Sequence, residues 1–269
     1  MLKDKPMLTI CIPTYNRREK INQLVNELLS RRLDIEIRVH IDGSTDGTLE
    51  LLQEIRDPYF ILSHSENKGR ASTLERLVME AQGQFIMIFD DDDWFTTHGV
   101  ERVLEDCQAS IPETCAGYIY LMEDRRGNII GSEFPTAVAN FVSLRADFAI
   151  QGDKKEVVKA SLFKKVLVCA NGKYRRIPTS LYWGRIAYDY NVICKNFVVG
   201  GKEYLEGGMT STISSLKAKN SFPIVMLNLL YVRCFFKGRY KSVSFLLKSL
   251  ARASYYSILS GLSWIGNRQ

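Results

Sequence analysis

The early part of the chain alternates short apolar runs with segments of helical periodicity. The apolar runs occupy residues 7–12, 35–41, 59–63 and 85–89, and helical patterns fill the intervals between them. Apolar strands that alternate with helices form a parallel sheet covered by those helices. The sequence therefore predicts an α/β fold with a mostly parallel, doubly wound sheet and helices on both faces.

The helices between these strands have recognisable spacing and ends. Residues 18–29 place apolar side chains three and four positions apart on one face, and a short helix is predicted to begin near Thr48. Ser72–Glu75 has the pattern of a capping box, and Gly83 is predicted to end the helix that it starts.

Beyond about residue 109 the pattern changes. Residues 118–122 and 129–130 flank a polar turn and predict an antiparallel hairpin at the edge of the sheet. Two helices, over residues 154–168 and 180–190, are predicted to precede a strand over residues 192–199.

Four consecutive carboxylates follow the fourth apolar run. Asp90–Asp93 stand directly behind Phe85–Phe89, at the predicted carboxyl end of a strand, which is where ligands bind in open parallel sheets. A solvated acidic turn would explain an isolated charge run, but close carboxylates raise one another's pKa unless a cation offsets them. Hard oxygen ligands suit Mg²⁺ or Mn²⁺, which commonly bind through one or two carboxylates plus phosphate oxygens. The run therefore predicts a metal–diphosphate site.

Three other polar stretches follow predicted strands and point to the same crevice. Residues 13–17 offer the aromatic ring of Tyr15 and a cation, and Asp42 offers an acceptor for a base or a ribose. Residues 67–70 offer two cations and a flexible backbone close to a helix start. Each stretch alone is a weak signal, since a tyrosine after a strand more often packs than binds a base.

In order along the chain, these stretches resemble the nucleotide-sugar glycosyltransferases of family 2, which have the GT-A fold. The resemblance rests on residues 12–17, 42–48, 66–69, 81–83 and 89–94. It implies transfer of a sugar, with inversion at the anomeric carbon, from a nucleoside diphosphate donor that is usually UDP-linked. Asp92 would be the metal ligand of the family's Asp-x-Asp motif, with Asp93 beside it, and the implied cofactor is Mn²⁺ or Mg²⁺.

The resemblance also implies a donor site and an acceptor class. The implied donor-binding residues are Pro13, Thr14, Tyr15, Arg17, Asp42, Lys68, Arg70, Asp90 and Asp91. Pro13, Tyr15 and Asp42 would hold the uracil, and Asp90 would hold the ribose or the sugar. The similar bacterial members build polysaccharides, so a glycan or a lipid-linked saccharide is the implied acceptor.

The chain departs from the family pattern at the general base. The family places an acidic residue just before a helix that carries Trp and Arg, and Thr179 occupies that position here. A threonine is not a base near neutral pH, so Asp153, predicted to precede a helix in the acceptor-side half, is the first substitute. Capping that helix is an equally good explanation of Asp153. Glu206, in a stretch similar to one seen in polysaccharide-building members, is a further acidic residue that would lie near the acceptor.

The net charge of +6 belongs to the end of the chain. From Gly207 to Gln269 there is no Asp or Glu and there are nine Lys and Arg residues, which argues against a nucleic-acid-binding body. We predict a GT-A-like domain over residues 1–212, with a nucleotide-sugar-binding half (1–108) and an acceptor-side half (109–212), and a basic amphipathic helical tail over residues 213–269.

The tail mixes aromatic residues with cations, and its apolar runs are too short to span a bilayer. Such helices suit an anionic membrane surface, although packing on the catalytic domain or a dimer contact explains the pattern too. The chain opens without the pattern of a signal peptide, and its six cysteines form no C-x-x-C pair. We therefore expect a cytoplasmic protein, peripheral on the inner face of the cell membrane, with buried or idle thiols.

Two other classes of protein are weighed against a glycosyltransferase. A sugar nucleotidyltransferase would carry a glycine-rich basic loop after the first strand, and residues 13–17 contain no glycine. A non-catalytic nucleotide-sugar-binding or scaffold protein is consistent with Thr179 and with the cationic tail. Turnover of a donor would separate this class from an enzyme, and the sequence leaves the transferred sugar, the linkage and the oligomeric state open.

Overall fold

The computed structural model describes residues 5–168, 173–203 and 221–266 of the chain, with side chains through residue 260. The strands are β1 (Leu8–Thr14), β2 (Ile35–Asp42), β3 (Phe60–Ser65), β4 (Phe85–Ile88), β5 (Trp94–Phe95), β6 (Cys115–Glu123), β7 (Val138–Ala139), β8 (Lys154–Lys159) and β9 (Asn191–Gly201). The helices are α1 (Arg18–Ser30), α2 (Thr48–Leu52), α3 (Arg70–Glu80), α4 (Gly99–Gln108), α5 (Phe141–Ala146), α6 (Ala160–Val166), α7 (Thr179–Ala187), α8 (Ser221–Phe236) and α9 (Val243–Gly266).

The strands join in one mixed sheet with the order β3-β2-β1-β4-β8-β6-β9-β5, and β7 pairs with β9. The first four apolar runs form the parallel part, since β1 pairs in parallel with both β2 and β4, and β2 with β3. This confirms the α/β prediction for the first half. The second half adds an antiparallel strand, β8, between β4 and β6, and β6 runs parallel to β9.

Two apolar cores lie on opposite faces of the sheet, because side chains alternate along each strand. Ile86 and Ile88 of β4 face one core, which the buried residues of α3, α6 and α7 complete. Phe85 and Met87 face the other core, which contains the buried residues of α1 and α4. Helices therefore cover both faces, as the sequence predicts.

The predicted capping box is wrong. Helix α3 begins at Arg70, with Gly69 at its N-cap in a positive-φ conformation. Ser72 consequently lies inside the first turn, and its buried hydroxyl makes no hydrogen bond within the described residues. Asp42 instead accepts hydrogen bonds from the backbone N–H groups of Lys68 and Gly69, just before the helix.

The predicted helix over residues 154–168 is wrong in its first part. Residues 154–159 form β8, and only Ala160–Val166 are helical. Val157 and Val158 face the two opposite cores, which a strand between β4 and β6 allows and a helix does not. Asp153 therefore precedes a strand, and it does not cap a helix.

The predicted hairpin is also misplaced. β6 lies inside the sheet between β8 and β9, and the return segment makes a single bridge, from Glu123 to Ile129. The predicted helix at residues 180–190 and the strand at 192–199 are confirmed as α7 and β9, with shifted ends.

Helix α8 packs against α7, and α9 packs along α8. Tyr231 and Cys234 of α8 are buried in the same core as α7, so one face of the predicted tail is part of the body. Within the described residues, no helix has both the length and the apolar character needed to cross a membrane. The predicted domain boundary at residue 212 lies outside the described residues.

Five of the six cysteines are described, and all five are free and buried: Cys11, Cys107, Cys115, Cys194 and Cys234. Burial raises the pKa of each of Cys194 and Cys234, to about 12 and about 11, so neither thiol is ionised near neutral pH. The prediction of buried or idle thiols is confirmed for these five in that all are buried, and Cys169 lies outside the described residues.

Candidate active site

The predicted site residues converge on one edge of the sheet. The carboxyl ends of β1, β2 and β4 lie side by side because these strands run in parallel, and the acidic run follows β4 directly. The end of β9, at Gly201, and the start of β8, at Lys154, reach the same edge from the second half. Residues far apart in sequence therefore surround Asp90–Asp93.

The loops after β1 and β2 are joined by reciprocal hydrogen bonds. The Asn16 backbone N–H donates to Ser44 Oγ at 2.9 Å, and the Thr45 N–H donates to Asn16 Oδ1 at 2.8 Å. Gly43 has a φ of +71°, and a Cβ at this position would lie 2.5 Å from the backbone nitrogen of Asn67. The crevice wall therefore requires glycine at position 43.

Asp42 is buried and is held by the loop after β3. Its Oδ1 accepts from the Lys68 N–H at 2.8 Å, and its Oδ2 accepts from the Gly69 N–H at 2.9 Å. These bonds tie the end of β2 to the start of α3. The predicted role of Asp42 toward a uracil base remains a prediction, and the structure adds this positioning role.

The four carboxylates of the acidic run alternate between the interior and the open crevice. The Asp91 and Asp93 side chains are 7% and 0% exposed, whereas those of Asp90 and Asp92 are each 23% exposed. Asp91 accepts from Thr14 Oγ1 at 2.7 Å and from Arg17 Nη1 at 2.7 Å, and Asp93 pairs with Lys155 Nζ at 3.1 Å. The inner pair therefore anchors the run to the body.

The outer carboxylates pair with cations of the crevice. Arg17 Nη1 lies 2.6 Å from Asp92 Oδ2, and Arg70 Nη2 lies 2.5 Å from Asp90 Oδ1. These contacts bring together four residues that the sequence assigned to donor binding or to the metal.

Lys202 is a part of this site that the sequence does not reveal. It follows β9, and its Nζ lies 3.6 Å from Asp90 Oδ2, 3.9 Å from Asp93 Oδ1 and 3.1 Å from Asp153 Oδ2. The contact places Asp153 next to the acidic run, and its predicted role in catalysis stays a prediction. No local motif marks Lys202, because its partners come from two distant stretches of the chain.

The surrounding charges set the protonation of the run. Burial opposes ionisation of Asp90, but Arg70, Lys155 and Lys202 hold its pKa well below the usual range. Burial raises the pKa of Asp91 and of Asp93 above the ordinary aspartate value, against the opposing effect of their cationic partners. Asp90 is therefore a permanent anion of the crevice.

The remaining predicted donor residues line the same edge. Pro13 is buried at the end of β1, Tyr15 is 50% exposed beside it, and Lys68 is exposed in the loop after β3. The exposed Tyr15 ring is of the kind on which a flat ligand can stack.

The carboxylate chemistry of the crevice fits a divalent ion that is shared with a diphosphate. The described residues contain no group of three or more His, Cys, Asp or Glu side chains that could hold a metal by themselves. Mg²⁺ and Mn²⁺ in nucleotide sites take one or two carboxylates and obtain their other ligands from phosphate and water. Asp90 and Asp92 meet that requirement, whereas the enclosed, lysine-paired Asp93 is less available than the sequence predicts.

The acceptor-side candidates lie close to this edge. Thr179 is the first residue of α7, and the segment before it reaches α3 through the Ala71 N–H, which donates to the Arg175 carbonyl at 3.1 Å. The Asp153 side chain is 50% exposed and bound to Lys202. Glu206 lies outside the described residues.

With this geometry established, comparison with known proteins gives the class. Residues 9–128 match the family "Glycosyl transferase family 2". This segment contains the parallel strands, the acidic run and every predicted donor residue. Residues 9–128 thus form a family 2 glycosyltransferase domain.

Curated relatives cover only part of the chain. It is 32% identical over 136 residues to a chondroitin synthase of Escherichia coli, across 49% of this chain and 20% of that protein. It is 29% identical over 125 residues to the putative teichuronic acid biosynthesis glycosyltransferase TuaG of Bacillus subtilis, across 45% of this chain and 50% of the relative. The chain therefore spans half or less of the length of these relatives.

Solved structures extend the likeness to the whole fold. S. aureus TarS 1–349 superposes with a TM-score of 0.63 at 16% identity, over 95% of this chain and 74% of that one. The mannosyltransferase PcManGT from Pyrobaculum calidifontis, in complex with GDP-Man and Mn²⁺, gives a TM-score of 0.57 at 16% identity, over 99% and 81%. These similarities show the GT-A fold.

Proposed function

We propose that the chain is a metal-dependent inverting glycosyltransferase that moves a sugar from a UDP-linked donor to a glycan or lipid-linked acceptor in surface polysaccharide synthesis. The observation that carries this proposal is the cation-paired acidic run at the carboxyl ends of β1, β2 and β4. A neighbouring fold holds UDP-GlcNAc and another holds GDP-Man with Mn²⁺, which supports a nucleoside diphosphate sugar as the donor class.

Asp92 and Asp90 would hold the divalent ion, since they are the exposed carboxylates of the run. When bound, the ion neutralises charge that develops on the departing diphosphate. Arg17 and Arg70 already reach these carboxylates, so their guanidinium groups are placed to contact phosphate oxygens that arrive at the same position. Tyr15 offers its exposed ring to the base.

Asp93 and Lys155 hold the acidic run in place from inside the protein. Their ion pair is enclosed, with side-chain exposures of 0% and 9%, and Lys155 Nζ also lies 4.6 Å from the ring centroid of Phe89. A buried pair of this kind fixes the backbone that presents Asp92.

We also propose that the chain works at the inner surface of the cell membrane. Val243, Leu247, Leu250 and Ile258 form one exposed apolar stripe along α9, at helical spacing. Lys248 and Arg252, the only charged residues of α9, are exposed on another side of this helix, and no Asp or Glu occurs from Gly207 onward. An apolar stripe on a helix whose only charged residues are cations matches the chemistry of an anionic bilayer surface, where a lipid-linked acceptor would lie.

The test of the donor site is calorimetric titration of UDP into the full chain with and without Mn²⁺. We expect binding that requires Mn²⁺ in the natural chain and is at least about tenfold weaker in Asp92→Asn, because a metal ligand is lost. Asp34→Asn, an exposed carboxylate before β2 at the opposite edge, is the matched control and should bind as the natural chain does.

Two outcomes would change the proposal. Equal UDP affinity with and without Mn²⁺, and in Asp92→Asn, would remove the metal from the mechanism. Metal-dependent binding of UDP without turnover of any UDP-sugar would favour the scaffold class, for which Thr179 at the usual base position is the motivating observation.

A further inference from the structure

We propose that Glu156 is the general base of the sugar transfer. The inference rests on the proposed function, and it supplies the carboxylate that Thr179 cannot provide. Glu156 belongs to β8, the strand for which the sequence pattern predicts a helix.

The strand register places Glu156 beside the acidic run. β8 pairs antiparallel with β4, and Met87 pairs with Val157, so Glu156 is next to Ile88, two residues before Asp90. Neighbouring strands lie about 4.8 Å apart and two strand residues span about 6.6 Å, so an extended chain from Ile88 onward would place the Asp90 Cα atom roughly 8 Å from that of Glu156. Glu156 therefore lies close to the acidic run within the sheet.

The alternation of side chains places Glu156 on the acceptor side. Val158 faces the core that contains α7, whereas Val157 faces the other core, and Glu156 shares the face of Val158. The neighbouring Lys155 confirms the alternation, because it points to the opposite face and pairs with Asp93. Glu156 therefore lies on the sheet face that α7, which begins at Thr179, covers.

Glu156 differs from the acidic run and from Asp153 in having no partner. Each of those five carboxylates is ion-paired within 4 Å: Asp90 with Arg70, Asp91 and Asp92 with Arg17, Asp93 with Lys155, and Asp153 with Lys202. Among the described residues, Glu156 makes no side-chain hydrogen bond and no ion pair, and it is partly exposed. A proton acceptor needs such a free oxygen, whereas the Asp153 carboxylate is engaged by an ammonium group.

The protonation of Glu156 suits the same role. Burial raises the pKa of Glu156 to about 7, although Lys155 and Arg145 lower it and Asp153 adds a small increase. General bases work best when their pKa lies near the operating pH, because a useful fraction is ionised and still strongly basic.

The proposed step is balanced without any further reactant. The acceptor hydroxyl oxygen bonds to the anomeric carbon as the bond from that carbon to the diphosphate oxygen breaks. The electron pair of that bond leaves with the diphosphate, and the hydroxyl proton moves to a Glu156 carboxylate oxygen. The proton then returns to solvent.

The experiment uses the full chain with Mn²⁺ and water as the acceptor. UDP release is measured from UDP-glucose, UDP-galactose, UDP-N-acetylglucosamine and UDP-N-acetylgalactosamine, and UDP affinity is measured by calorimetry. We expect Glu156→Gln to release UDP about 100-fold more slowly or worse, with unchanged UDP affinity. Glu113→Gln, an exposed glutamate at the opposite edge of the sheet, is the matched control and should keep the natural rate.

A pH profile separates a base from a residue that only supports the fold. The rate of UDP release by the natural chain should fall as pH decreases through about 7, because the Glu156 carboxylate is then protonated. Glu156→Gln should lose this pH dependence. With ¹³C-labelled glutamate carboxyls, the NMR signal that is missing from Glu156→Gln should titrate at about pH 7.

Several results would overturn the assignment. An activity of Glu156→Gln within threefold of that of the natural chain would reject Glu156 as the base. A loss of activity that occurs in Asp153→Asn and not in Glu156→Gln would reject it too. If the natural chain binds UDP but releases none from any donor, the base is rejected together with turnover. Failure of the natural chain to bind UDP at all would instead reject the proposed donor site.

Discussion

Replacing Lys155 by methionine tests whether the enclosed ion pair holds the acidic run in place. The substitution keeps the length of the side chain but leaves the Asp93 carboxylate, whose side chain is 0% exposed, without its partner at 3.1 Å. Breaking one member of a buried pair costs about 3–5 kcal/mol, because an uncompensated charge remains inside the protein. Lys202, 3.9 Å from Asp93 Oδ1, offsets part of this loss, so we expect about 3 kcal/mol.

The assay is urea unfolding followed by tryptophan fluorescence at pH 8 and pH 5. Burial already raises the pKa of Asp93, and removal of Lys155 raises it further. A carboxyl with a raised folded pKa favours folding below its unfolded pKa, and this contribution is lost as pH rises through the folded pKa. The loss of unfolding free energy caused by Lys155→Met should therefore be larger at pH 8 than at pH 5.

Two further variants complete this test. Lys155→Met combined with Asp93→Asn removes both charges and should recover most of the lost stability. Lys159→Met, on the same face of β8 but without an ion pair in the described structure, should cost less than about 1 kcal/mol. A Lys155→Met deficit below about 1 kcal/mol, or a double variant as unstable as the single one, would refute the reasoning.

Two other predictions concern the crevice and the surface of α9. Gly43→Ala should weaken UDP binding about tenfold by calorimetry, because its Cβ would meet the Asn67 backbone at 2.5 Å and displace the loop beside Asp42, and Gly127→Ala, also at positive φ but in open space, should bind UDP normally. Leu247→Glu with Ile258→Glu should abolish sedimentation with phosphatidylglycerol vesicles while leaving UDP binding intact, and unchanged sedimentation would refute the membrane role of the stripe.

The sequence predicts the half of the site that is built from consecutive residues. Apolar runs followed by Asp42 and by Asp90–Asp93 locate the strand ends, because buried parallel strands and their carboxyl ends leave a local pattern. The pairing of Arg17 with Asp92 follows from the strand order of the sheet, which the local pattern does not specify.

The missed features depend on contacts between distant segments. β8 begins with three charged residues, and such a start does not predict a strand inside a sheet. Lys155, one of the three, is buried as the ion-pair partner of Asp93. Lys202 enters the site from the far side of the sheet, through the parallel pairing of β9 with β6. Ser72 fits the pattern of a cap, but Gly69 takes the N-cap position, and Asp42 of a separate strand holds the two residues before the helix.

The cations around the acidic run have a consequence for the order in which ligands bind. Arg17, Arg70 and Lys202 already compensate Asp90 and Asp92, so a divalent ion that arrives alone must compete with these fixed positive charges. A nucleoside diphosphate supplies new anions for the same side chains and frees the carboxylates for the ion. Mn²⁺ and the nucleotide should consequently bind cooperatively, each weakly alone and strongly together, so that the empty crevice holds no loosely bound metal.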